Sequence, residues 1–158
     1  LGFAVEPKEA RDLVAVGNRI TAAAARQLPV RHPDNPDIQG VTFAEFAMPF
    51  AGPGTVSRNA VIVAPGRIDR SPCGTGTSAR LAVLHARGQL APGQGFIHES
   101  IIGSRFEAGI ASQTTVGGQP AIVPTIAGQA WITGVFQHGF DPSDPFRGGY
   151  TLPDLWFY

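Results

Sequence analysis

Early in the chain, apolar residues recur at three- and four-residue steps, at Leu13, Val16, Ile20, Ala24 and Leu28. Positions spaced this way share one face of a helix, so the segment predicts an amphipathic helix packed on one side. Arg11, Asp12, Asn18 and Arg19 fall mainly on the other faces. Pro7, just after Glu6, suits a first helical turn, and Pro29 sets the end near Leu28. The run His32-Pro33-Asp34-Asn35-Pro36-Asp37 is rich in turn formers and reads as a loop. Segments 41–48 and 59–64 read as strands. Asn59-Ala60-Val61-Ile62-Val63-Ala64 is almost wholly apolar, which fits a strand covered on both faces, and Pro65-Gly66 closes it.

A second helix is predicted over about 77–87. Ala79, Leu81, Ala82, Val83, Leu84 and Ala86 leave it few polar faces, so burial on nearly all sides is expected. Gly88 suits its C-terminal cap. Beyond residue 95 the pattern is strand and turn, with strands expected at 95–101, 104–110, 119–126 and 129–136. The tail Asp141-Pro142-Ser143-Asp144-Pro145-Phe146 is irregular and leads to an apolar end at Leu152, Leu155, Trp156, Phe157 and Tyr158. The expected architecture is α/β (α+β): one domain over 1–158, with strands wrapped round a central buried helix whose N-terminus opens onto a cleft.

Composition narrows the partners. The 158 residues suffice for one domain with its own core, and the 20 glycines and 14 prolines are spread as turn punctuation. Twelve acids balance twelve bases, which removes the electrostatic case for nucleic acid or an anionic membrane. No apolar run approaches the roughly 18 residues of a membrane span, and the start lacks a basic n-region. A single cysteine, Cys73, excludes an internal disulfide and a cysteine-cluster metal site, and fits a reducing, cytoplasmic setting. The chain opens on Leu1 and its sole methionine is Met48, so it is expected to begin inside a longer gene product.

Cys73 lies in the run Asp69-Arg70-Ser71-Pro72-Cys73-Gly74-Thr75-Gly76-Thr77-Ser78-Ala79-Arg80. Pro72 ends whatever precedes it, Gly74 and Gly76 bring bare backbone close to anything bound there, and helix formers follow from Thr77. A cysteine just before a helix sits among unpaired N–H groups that favour a thiolate and an anionic ligand. The bland alternative is a small buried hydrophobe, the commoner fate of a lone cysteine; it needs neither two flanking glycines nor an aspartate four residues before. The glycine run does not sit in repeated strand-helix-strand units and lacks the lysine spacing of a phosphate-binding loop. No pair of His, Asp or Glu has metal-ligand spacing on one predicted helix face. A cysteine–histidine dyad needs a neighbour from among His32, His85, His98 and His138; His85 is about three turns along the helix, and His98 sits in a strand, where a satisfied structural role is the commoner one. Asp69 has two readings, a turn residue or a carboxylate that meets a substrate ammonium while the helix N-terminus meets its carboxylate. Together those are the two handles of an α-amino acid, with the thiol near its Cα proton.

The run from Asp69 to Ala79 resembles the second catalytic motif of the proline racemase family, which includes hydroxyproline 2-epimerases and trans-3-hydroxyproline dehydratases. The resemblance continues through His98-Glu99-Ser100-Ile101-Ile102-Gly103-Ser104 and around Asp141-Pro142, and covers nearly the whole chain. It implies one half of a diaminopimelate epimerase-like fold, a mixed sheet round a central helix, with substrate held between two halves. It implies chemistry without a cofactor or metal. By this resemblance Cys73 is one of two acid/base residues and Asp69 binds the ring nitrogen. The N–H groups of Gly74 and Thr75, with the Thr75 hydroxyl, bind the carboxylate.

The family's first motif, cysteine followed by glycine and histidine, is absent from the chain. Inversion needs an acid/base group on each face of Cα, so the chain is expected to be the C-terminal catalytic half of a longer enzyme, inactive alone. Its partners are then a proline or hydroxyproline substrate and the missing N-terminal half. The resemblance favours 4-hydroxyproline epimerisation. Proline racemases resemble one another in a phenylalanine ten residues before the cysteine, where this chain has Val63; many hydroxyproline epimerases have an aromatic there and a histidine near Phe43. Dehydration of trans-3-hydroxy-L-proline is the alternative within the family. Outside it, the alternative is a catalytically silent fragment that binds small carboxylates or self-associates through its exposed cleft surface.

Overall fold

A short 3-10 turn, Pro7–Glu9, runs directly into helix α1, Ala10–Gln27. The computed structural model describes residues 2 and 4–150; the apolar end at Leu152, Leu155, Trp156, Phe157 and Tyr158 lies outside the described residues. Leu13 and Gly17 are the buried residues of α1, and Val14 joins Val5, Ala44, Ala60, Ile62 and Ile101 in one core. The helix meets the sheet at Gly17, where a Cβ would come within 2.7 Å of Ile62 Cγ1. The expected apolar face is therefore corrected. Ile20 and Leu28 are exposed, because the packed stripe is Leu13, Val14 and Gly17 and the helix beyond carries no buried residue.

Among the described residues six strands form one mixed sheet: β1 Phe43–Ala47, β2 Val56–Val63, β3 Arg67–Ile68, β4 Phe96–Glu99, β5 Arg105–Val116 and β6 Gln119–Gly128. The order is β1-β2-β4-β5-β6, with β3 paired to β2. Only β2 and β4 run parallel, joined by a crossover through helix α2, Gly74–Ala86. Ala60 and Ile62 of β2 enter the α1 core. Asn59 and Val61 face the other way, towards the start of α2. This double cover is why the run 59–64 is nearly all apolar.

The β5–β6 hairpin is longer than the sequence pattern implied. Its ladder reaches Val116↔Gln119 across Gly117-Gly118, whose φ values of 54° and 76° suit the tight turn that matches strand twist. The strand expected at 129–136 is not present: these residues are irregular, and Trp131, Ile132, Val135 and Phe136 are exposed. Their β-forming composition makes no ladder without a partner strand, and no described residue supplies one.

Helix α2 starts three residues earlier than expected, capped by Cys73 itself. Gly88, with φ 67°, follows its C-terminus as expected. Its burial is one-sided. Thr77, Leu81 and Leu84 are covered, and the two leucines pack with Leu90, Phe96, Ala108 and Ile110. Ala79, Ala82, Val83 and Ala86 are exposed among the described residues.

Candidate active site

Val61 organises the site. Its carbonyl accepts the Asp69 N–H at 3.1 Å, which fixes Asp69 as the chain leaves β3. Its side chain also stands against Gly76: a Cβ there would lie 3.0 Å from Val61 Cγ2 and 3.4 Å from Cys73 Cβ. One strand position thus holds both the aspartate and the first turn of α2. Asp69 is half-buried, and none of the salt bridges among the described residues involves it.

Cys73 caps α2 with φ 64° and ψ 124°, the one non-glycine residue with positive φ among those described. A residue with a Cβ in such a region costs about 1–3 kcal/mol, met only where the surroundings over-determine it. Its N–H donates to Ser71 Oγ at 3.1 Å. Its sulfur accepts the Gly76 N–H at 3.4 Å and lies 3.2 Å from Thr75 Oγ1. The Thr77 N–H bonds to the Cys73 carbonyl at 2.9 Å. The Gly74 and Thr75 N–H groups are then the first-turn donors that remain for a ligand. Both residues are exposed, and a Cβ on Gly74 would meet nothing within 4 Å. Cys73 as a whole is buried, at 7% exposure. The four residues singled out from the sequence, Asp69, Cys73, Gly74 and Thr75, therefore cluster at the N-terminal end of α2, beside Val61 of β2.

Behind the thiol is a polar network that sequence reasoning did not assemble. The Pro72 carbonyl accepts from Asn59 Nδ2 at 2.8 Å and from Thr77 Oγ1 at 3.3 Å. Thr77 Oγ1 lies 2.9 Å from His98 Nδ1. His98 Nε2 is 3.5 Å from Glu45 Oε1, which accepts the second Asn59 proton at 2.7 Å. Asn59, Thr77 and His98 are fully buried. Burial, reinforced by the Arg80 charge, lowers the His98 pKa to about 4, so the ring is neutral. Burial raises the Glu45 pKa, against the opposing effects of Asn59 and Arg80. One signal for Asn59 was available: it is the polar residue that opens the otherwise apolar run 59–64.

A second tie joins the same two runs. Ser104 Oγ donates to the Arg70 carbonyl at 2.8 Å and lies 2.7 Å from the buried Ser100 Oγ. The stretch from His98 to Ser104 thus anchors the loop from Arg70 to Thr77 at both ends. His85 takes no part: its ring nitrogens engage Leu90 O at 3.0 Å and Gln113 at 2.8 Å. A cleft lined by Val5, Met48, Arg58 and Glu99 lies away from Cys73. Among the described residues no cluster of His, Cys, Asp or Glu is suited to a metal, and no helix is long and apolar enough to cross a membrane.

A mixed α/β domain with a cysteine-capped central helix is the class that fold and site define. Residues 1–151 match the model of the proline racemase family, and the chain belongs to that family. It is 44% identical to a hydroxyproline epimerase from Agrobacterium vitis, solved with bound trans-4-hydroxy-L-proline, with a TM-score of 0.80 over 99% of this chain. It is 43% identical to a probable proline racemase from Agrobacterium radiobacter K84, solved with bound carbonate, with a TM-score of 0.79 over 98% of this chain. The chain spans 44% and 45% of those two chains.

Proposed function

We propose that the chain is the C-terminal catalytic half of a cofactor-independent racemase or epimerase acting on a proline-type amino acid, 4-hydroxyproline first. Cys73 is one of its two acid/base residues. Its thiolate takes the Cα proton from one face of the substrate, and a second group, on the half outside this chain, gives a proton to the opposite face. Asp69 receives the ring ammonium. The Gly74 and Thr75 N–H groups, with the Thr75 hydroxyl, receive the carboxylate. The negative charge left at Cα spreads into that carboxylate, where helix N-terminal donors stabilise it. Exchange through a single thiol per face asks for a reduced cysteine, which agrees with a cytoplasmic setting.

The observation that carries this reading is the thiol at the mouth of α2, beside two backbone donors without a partner among the described residues and next to the strand position, Val61, that also fixes Asp69. The relative solved with trans-4-hydroxy-L-proline supports the substrate class. The test is α-proton exchange in D2O from both C2 epimers of 4-hydroxyproline. A longer polypeptide carrying both halves is expected to exchange and interconvert them, and this chain alone to do neither. Appreciable turnover by this chain alone would remove the half-enzyme reading. Loss of water from trans-3-hydroxy-L-proline, without epimerisation, would replace it by dehydration.

A further inference from the structure

We propose that His98 and Thr77 are positioning residues for Cys73, holding the Pro72–Cys73 peptide in the turn that aims the thiol along the mouth of α2. The proposal rests on the reading of Cys73 as an acid/base group. The need for a holder is visible in the backbone, because φ 64° at Cys73 is disfavoured for any residue with a Cβ. The orientation of the Pro72 carbonyl sets the plane of the peptide that enters Cys73. That oxygen is gripped from two sides, by Asn59 Nδ2 at 2.8 Å and by Thr77 Oγ1 at 3.3 Å.

Thr77 is steadied in turn by His98, whose Nδ1 lies 2.9 Å away. The histidine has no room to move: it is fully buried on β4 and tilted against the Phe96 ring at 4.9 Å. Its far nitrogen faces Glu45 on β1 at 3.5 Å, and Glu45 binds the same Asn59 on β2. Three strands are therefore tied, through side chains, to one carbonyl oxygen. Each buried link is costly to break, since a buried polar group left without its partner loses its compensation. The part-buried bonds of the loop itself, to the exposed residues Ser71 and Thr75, have no comparable anchor.

The test compares Thr77→Val, which keeps the shape and deletes the hydroxyl, with Thr77→Ser, which keeps the hydroxyl, in the polypeptide carrying both halves. Thr77→Val is expected to lower kcat for α-proton exchange by about tenfold or more with KM within about twofold, as for a reacting group displaced by a fraction of an ångström. Thr77→Ser is expected to restore kcat. A second reading needs no turnover. Amide hydrogen exchange at Gly76, whose N–H is held by the Cys73 sulfur, is expected to speed about tenfold in Thr77→Val while the β5 amides are unchanged. Equal Gly76 exchange in wild type and Thr77→Val overturns the proposal, whatever happens to kcat. A wild type that exchanges no α-proton overturns the function proposed above, and the amide comparison still decides the role of Thr77. Should Thr77→Val not fold, His98→Asn, whose amide nitrogen stands near the Nδ1 position, and His98→Leu carry the same comparison.

Discussion

Phe43 of β1 and Val63 of β2 are direct cross-strand partners, and Arg67 of β3 pairs with Val63 from the other side. The next row inward is Glu45 and Val61, with Asp69 bonded to the Val61 carbonyl. Side chains two apart on a strand share a face, so Phe43, Val63 and Arg67 border the side of the sheet that carries Asp69 and the start of α2. The opposite side, through Ala44, Ala60 and Ile62, is filled by α1. The same alternation separates the face packed on α1 from the face where the proposed function puts the substrate.

Substrate preference should therefore respond to Val63. Val63→Phe adds bulk to the row outside Asp69 and is expected to shift the ratio of kcat/KM for proline over 4-hydroxyproline upward, by about tenfold, the scale on which a changed apolar contact discriminates. Competition between the two amino acids in one assay measures the ratio directly. An unchanged ratio would take this row out of the ring pocket.

Gly74 and Gly76 stand two residues apart and should fail in different ways. A Cβ on Gly76 meets Val61 at 3.0 Å and Cys73 Cβ at 3.4 Å, so Gly76→Ala is expected to destabilise the fold by about 1–3 kcal/mol, as overpacking does. A Cβ on Gly74 meets nothing in the protein. Gly74→Ala is expected to unfold like wild type yet to raise KM, because the added methyl would occupy the space that the proposed function gives to the substrate carboxylate. Urea unfolding alongside KM separates the two.

Asp69→Asn removes a charge without breaking any ion pair among the described residues. The fold should be unaffected. Binding of the substrate ammonium should weaken by about 10–100-fold, the worth of a hydrogen bond to a charged group. Calorimetric titration with a non-reacting amino-acid analogue gives the affinity, and an unchanged value would reassign Asp69 to a turn residue.

Much of this site was legible in the chain because its parts are contiguous. Cys73, Gly74 and Thr75 are neighbours, Asp69 is four residues away, and local rules place a cysteine before a helix. The thiol as the cap itself was less legible, since Cys73 takes a backbone conformation that sequence patterns assign to glycine. The support beneath was not legible at all as a network. Glu45, Asn59, Thr77 and His98 lie on four elements and meet only through the β1-β2-β4 order and the crossover through α2. The same limit explains residues 129–136. Their composition favours a strand, but a strand exists only where a neighbour offers a ladder. In α1, periodicity identified the helix, and the close approach at Gly17 decided which stripe of it packs.

Stability between neutral and acid pH should carry the signature of His98. Burial holds its folded pKa at about 4, below the ordinary value of 6.5, so the unfolded chain binds a proton in the interval where the folded protein does not. Its contribution is fully present above about pH 6.5 and is lost as pH falls towards 4. The full difference is on the order of 3 kcal/mol. One facing group shifts the background: Glu45, with a raised pKa, gains stability on protonation and opposes the trend. Glu99, held below its usual range first by its bond to Arg58 and then by Arg105, loses its contribution only as pH falls below its ordinary 4.5. The difference between wild type and His98→Asn removes the Glu99 background, whose partners Arg58 and Arg105 the substitution does not touch. That difference, from urea unfolding at intervals between pH 7.5 and pH 4, is expected to be largest at neutral pH and to shrink across the window from 6.5 to 4. Parallel stability curves for the two proteins would mean that His98 titrates alike folded and unfolded, which a ring sealed between Thr77 and Glu45 does not allow.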